Sequence, residues 1–224
     1  MSWGFFGKLP THGDFIERHW PAAALAAWDD WLQQALSISR EQLGDNWLNV
    51  YLTSPLWRFG LSAGCVDSSA WLGVLMPSVD SVGRYFPLLI GGPLGRDCDL
   101  VATFLNNEAW FTALEALALA ALDEPLRADA LEPRVRALAA PNVVAAPTPG
   151  TAVYCAKAGA AALPDLLEWR WRSDTAAASL WGTAGSQAVQ PGIAMARGLP
   201  PAAGFSALLD GEWTRWGWSA QGAA

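Results

Sequence analysis

Strand-like and helix-like segments interleave along this chain, and they predict an α/β fold, a single-domain sandwich with a mixed central sheet and helices on its faces. Three observations carry that expectation. Short apolar runs bounded by proline and glycine recur between residues 2 and 90. Two longer segments, 21–39 and 100–121, show apolar residues at helical spacing. The composition, 52% hydrophobic and 16% charged with 14 tryptophans in 224 residues, suits a chain with a large core and argues against disorder. There is no repeat at a fixed period and no clean linker, so residues 1–224 read as one domain, with a motif-rich part at 1–95.

The elements follow in order. Ser2–Leu9 is aromatic and glycine-punctuated and predicts a first strand, ended by a turn at Pro10 and Gly13. Asp14 with Glu17 three residues on forms a capping-box pattern, which predicts a short helix through Arg18. Pro21 suits a first helical position, and Leu25, Trp28, Leu32, Ala35 and Leu36 trace one face of an amphipathic helix to Ser39. Leu48–Thr53, Leu56–Ala63 and Trp71–Met76 then read as strands, the last two as a hairpin. Phe86–Ile90 reads as a fourth, ending in Gly91-Gly92-Pro93.

Asp97 or Asp99 caps the next helix, whose face runs through Leu100, Phe104, Phe111, Leu114, Ala118 and Ala121. Five prolines between 123 and 150 predict a long, partly helical connection with a helical piece at Arg134–Ala139. Beyond it, Ala152–Ala156, Ser179–Thr183 and Ile193–Ala196 read as strands, and Pro164–Arg170 and Pro200–Leu209 as helices. Trp57, Trp71, Trp110 and Trp181 are expected in the core. Trp213, Trp216 and Trp218 form either an exposed interaction surface or a tail folded back on the domain.

A formal charge of −7 and the lack of any lysine or arginine block argue against a nucleic-acid partner. The most apolar helical stretch, Ala109–Leu122, carries Glu115 and falls short of the roughly 20 apolar residues a membrane span needs. No secretory signal pattern is readable, and three widely spaced cysteines (Cys65, Cys98, Cys155) without a C-x-x-C suggest neither a disulfide framework nor a zinc site. A cytoplasmic location is expected.

The stretch GFFGKLPTHGDF (Gly4–Phe15) invites a catalytic reading. As a phosphate loop it fails, because Leu9 follows Gly7-Lys8 and Ser2 stands where the motif's first glycine belongs. His12, Asp14, Glu17 and His19 have metal-binding chemistry but not the spacing of a metal motif, and Asp14 as a helix cap explains them without one, so no metal and no other cofactor is expected. No G-x-S-x-G elbow is present. The other candidate is Met76–Leu88, MPSVDSVGRYFPL, a polar loop with Asp80 and Arg84 between apolar runs, whose plain reading is a connection with a local ion pair.

Taken together, GFFGKLP-THGDF, SPLWRFGL (Ser54–Leu61) and GVLMPSVDSVGRYFPL (Gly73–Leu88) resemble the TagF family, also called ImpM, of proteins that accompany bacterial type VI secretion systems. Ser179-Leu180-Trp181 resembles a later S-[LV]-W element, with Gly182 where the family has another tryptophan. The resemblance implies an α/β sandwich and a cytoplasmic accessory protein without enzymatic activity. It implies repression of the secretion apparatus after translation, through protein–protein interaction with a forkhead-associated scaffold component. The phosphatase activity fused to some relatives is not carried over.

The expected partner-binding residues are Lys8, Pro10, His12 and Asp14 in the first loop and Ser78, Asp80, Arg84 and Tyr85 in the second. Two other readings are a small hydrolase using His12 with Asp14 and a structural accessory subunit of the apparatus.

Overall fold

The computed structural model describes residues 3–123, 126–146 and 177–219. One seven-stranded sheet runs through them, composed of β1 (Gly4–Gly7), β2 (Ile16–Arg18), β3 (Trp57–Leu61), β4 (Ala70–Met76), β5 (Leu88–Gly95), β6 (Ala178–Thr183) and β7 (Gly192–Arg197). The strand order is β2-β1-β5-β4-β3-β6-β7. The expected α/β sandwich is present, but every pairing among the described residues is antiparallel, so the sheet is not mixed. The expected strand at Ala152–Ala156 and helix at Pro164–Arg170 lie outside the described residues.

Helices cover both faces: α1 (Ala22–Leu43), α2 (Trp47–Thr53) and α6 (Ser206–Asp210) on one, and α3 (Leu100–Leu105), α4 (Glu108–Asp123) and α5 (Ala128–Ala137) on the other. Strand side chains alternate between the two cores. On β4, Ala70, Leu72, Val74 and Met76 enter the core under α3–α5, while Trp71 and Leu75 enter the core under α1. Burial on both sides explains why this strand reads as an unbroken apolar run.

The α1 core is built of indole rings. Trp28 is fully buried, 4.9 Å from Phe59, 5.6 Å from Trp31 and 6.3 Å from Trp181 between ring centroids. Trp57, Trp71 and Trp181 lie in this core and Trp110 in the other, as expected. Trp213 and Trp218 fold back onto it, with Trp213 6.0 Å from Trp57, which decides the question of the tail.

Several elements depart from the expectations. Ile16–Arg18 is a strand, not a helix, and Asp14 caps nothing: Phe5↔Arg18 and Gly7↔Ile16 pair in register, which buries Ile16. Tertiary pairing here overrides a local capping pattern. Leu48–Thr53 is helical, because Trp47 and Tyr51, four residues apart, form its buried face and stack at 4.9 Å. Six residues of mixed polarity do not separate a period of 2 from one of 3.6.

β5 runs on through Gly91-Gly92-Pro93 instead of ending there. Its pairing with β1 stops at Gly91, so Pro93 lies where β5 has lost that neighbour and needs no donor on that side. The glycines allow close strand approach: a Cβ at Gly91 would stand 2.4 Å from the Leu72 carbonyl oxygen and 2.8 Å from Gly73 Cα.

Asp99 caps α3 by accepting from Ala102 N at 2.7 Å. The helix face expected over 100–121 is split at Asn107, whose side chain donates to Thr103 O and Asn142 O and accepts from Asn142 N. α5 begins six residues before the expected Arg134 and tolerates Pro133.

The sheet geometry gives a direct test. Gly91→Ala should destabilise the protein by about 1–3 kcal/mol, the range for overpacking, seen as a lower urea midpoint with an unchanged m value. An unchanged midpoint would mean that β4 and β5 can spread without cost.

Candidate functional site: two interlocked loops beside a groove

The two loops singled out by sequence, some seventy residues apart, meet at one end of the sheet. β1 is followed by a turn in which His12 N donates to Leu9 O at 3.0 Å, with Pro10 and Thr11 at its centre. Proline presets the backbone for that position. β4 and β5 are joined by a second tight loop, closed by the Val79↔Tyr85 bridge and by Asp80 N donating to Arg84 O at 3.0 Å. Gly83 takes φ 84°, the left-handed conformation that glycine adopts most readily.

Asp80 is the knot between them. Its Oδ1 accepts from the backbone N–H groups of Val82 (3.0 Å) and Arg84 (2.8 Å). Its Oδ2 accepts from Arg84 Nε at 2.7 Å and from Lys8 Nζ. The Lys8 and Asp80 side chains are 5% and 0% exposed, so this cross-loop ion pair is sealed from water. Burial alone would raise the carboxyl pKa, but the hydrogen bonds from Lys8, Arg84 and Val82 outweigh it and hold Asp80 well below the usual carboxylate range.

Further bonds reinforce the junction. Ser78 Oγ donates to Lys8 O at 2.7 Å, and Ser81 N donates to His12 O at 2.9 Å. Tyr51 on α2 donates its hydroxyl to Ser78 O and accepts from Ser78 N, both at 3.0 Å. Arg84 reaches back to Gly13 O and lies 3.8 Å from the Asp14 carboxylate.

The expected partner-contacting residues therefore divide. Lys8, Ser78 and Asp80 are buried parts of the junction. Asp14 and Arg84 are exposed, and Pro10, His12 and Tyr85 are half-buried. His12 and Asp14 do not form a pair: His12 Nδ1 bonds Thr11 Oγ1 at 2.9 Å, and burial together with the Arg127 charge holds its imidazole below the ordinary value. His19 is directed elsewhere, to Glu132 on α5 at 2.7 Å. Among the described residues no three of His, Cys, Asp and Glu converge as metal ligands.

Beside the junction lies an open groove of about 950 Å³. One wall is an α1 stripe, Gln33, Leu36, Ser37, Arg40 and Glu41, and the other is Lys8 and Phe15 with Gly83–Phe86; Trp47 and Leu48 close one end. The stripe follows from 3.6 residues per turn. Phe15 is held over Phe86 at 4.8 Å and beneath Lys8 Nζ at 4.6 Å. Arg40 lies 4.4 Å above the Trp47 ring. Sequence reasoning missed Phe15, Arg40 and Trp47, since reading 48–53 as a strand detached Trp47 from the helix that brings it under Arg40.

Fold and site define a class: an antiparallel α/β sandwich whose two polar loops are locked together by a buried aspartate at the mouth of a groove. Residues 4–138 match the family model described as the TagF N-terminal domain, type VI secretion system-associated. The chain belongs to that family. It is also similar to a solved structure, PA0076 from Pseudomonas aeruginosa PAO1, with 36% identity and a TM-score of 0.84 over 94% of this chain and 95% of that one. A comparison with curated proteins gives no match. Among the described residues no helix is long and apolar enough to cross a membrane.

The junction makes two predictions. Asp80→Ala should cost about 3–5 kcal/mol, the range for leaving one partner of a buried pair uncompensated, and the loss should be partly recovered in the double variant Lys8→Met/Asp80→Ala. Equal losses in the single and double variants would contradict the coupling. Because the folded-state pKa of Asp80 is depressed, its contribution is complete above the unfolded carboxyl pKa of about 4 and is lost as pH falls below that. The Tm of Asp80→Asn should therefore fall less between pH 5 and pH 2 than that of the wild type.

Proposed function

We propose that this protein is a non-enzymatic regulator of a bacterial type VI secretion system, a repressor that acts after translation by binding the forkhead-associated scaffold component in the cytoplasm. The observation that carries the reading is membership of the secretion-associated family together with the convergence of its two motif loops. Two charged residues of the candidate loops are used in architecture, since Asp80 accepts four hydrogen bonds and Lys8 is spent on Asp80, while His12 and Asp14 do not pair with each other. The residues that remain accessible at the loops, Asp14, Phe15, Ser81, Val82, Arg84 and Tyr85, form the recognition surface of this reading.

The proposal separates support from contact. Combined Asp14→Ala and Tyr85→Ala should weaken co-purification of the scaffold by about tenfold or more, because a few interface residues dominate binding, and should raise secretion in cells while leaving the far-ultraviolet spectrum unchanged. Unaltered scaffold binding and secretion would remove these loops as the interface. Secretion that changes while scaffold binding does not would remove the scaffold as the target.

A further inference from the structure

The groove has a charge feature that the junction does not use up. Its lining cations are Lys8, Arg40 and Arg84, and its lining anion is Glu41. Lys8 and Arg84 share the single charge of Asp80, and Arg84 has a second, distant and fully exposed neighbour in Asp14. Arg40 has no carboxylate within ion-pair distance among the described residues. Its guanidinium carbon lies 4.4 Å from the centroid of the Trp47 ring, within cation–π range, and the residue is exposed. A guanidinium held this way presents paired donors that match a carboxylate.

Apolar surface flanks that fork. Phe15 is 46% exposed and Leu48 is 39% exposed, and both line the groove with the half-buried Tyr85. What sets Arg40 apart is its place, in a groove that exposed apolar side chains also line. A small anion would satisfy Arg40 but leave Phe15 and Leu48 in water. A segment carrying both a carboxylate and an apolar side chain covers both.

We propose that the groove docks an extended acidic segment of a partner protein, with one aspartate or glutamate clamped by Arg40 and a neighbouring aromatic or aliphatic side chain packed against Phe15, Leu48 and Tyr85. This rests on the reading of the protein as a binding protein, but not on which partner it binds.

Selection of a library of short random peptides on the full chain tests it, followed by fluorescence titration of the enriched consensus peptide. The consensus should carry Asp or Glu beside an aromatic or aliphatic residue. Arg40→Gln should weaken it by about tenfold or more, as should replacing the peptide's acid by its amide, the loss expected for a charge-assisted hydrogen bond. Arg40 is exposed and forms no ion pair among the described residues, so the variant loses little beyond its contact with Trp47 and should stay close to the wild-type Tm.

Arg136→Gln, on α5 across the sheet, should bind like the wild type. No enrichment, a basic or uncharged consensus, or equal affinity of Arg40→Gln and Arg136→Gln would overturn the proposal. A scaffold component that fails to bind a chain which still selects acidic peptides would overturn the proposed function alone. Scaffold binding that persists in Arg40→Gln while no acidic peptide is selected would overturn this inference alone.

Discussion

The buried ion pair of Asp80 with Lys8 is the interaction on which the geometry of the two motif loops depends. Lys8 stands at the end of β1 and Asp80 and Arg84 in the loop between β4 and β5, so the ion pair fastens together two turns that the β1–β5 ladder and the Ser81 N–His12 O bond already bring side by side. Desolvating a lone aspartate and a lone lysine is costly, so each side chain is stable in its place only with the other present. That mutual requirement sets the relative position of the two loops. It therefore also sets one wall of the groove, since Lys8, Phe15, Arg84 and Tyr85 all move with it.

The architecture explains why the proposed recognition surface lies at this place. Both faces of the sheet are covered by helices, and alternate residues of β4 fill separate cores on either side. Over β4 neither face offers a surface, whereas the edge strand β7 exposes Ile193 and Met195. The connections at this end offer another, where the turn after β1 and the loop after β4 meet with α2 beside them. Tyr51 binds α2 to the loop after β4 by bonding both backbone groups of Ser78. Loops supported so completely are positioned almost as rigidly as the strands that carry them.

Much of this was legible in the sequence. The two-sided burial of β4 appears as the run WLGVLM, and α1 as a stripe of Trp28, Leu32 and Ala35 at helical spacing. Both loops could be singled out because polar residues and glycine interrupt apolar runs there. What could not be read was that they touch, or that Lys8, Ser78 and Asp80 are buried, because a buried ion pair looks locally like two solvated charges. The Asp14–Glu17 spacing misled because the Phe5↔Arg18 pairing, a nonlocal constraint, outweighs a local cap. Arg40 carried no local signal at all, since its role depends on the turn that returns Trp47 beneath it.

The central claim is that the junction and its groove form the recognition surface of the molecule, and amide hydrogen exchange on the full chain, alone and with the forkhead-associated scaffold component, addresses it most directly. The account predicts added protection in three separated segments, residues 8–15, 33–48 and 80–86, with the far side of the sheet at α4 and α5 unchanged. Protection on α4 and α5 with none in those three segments would contradict it.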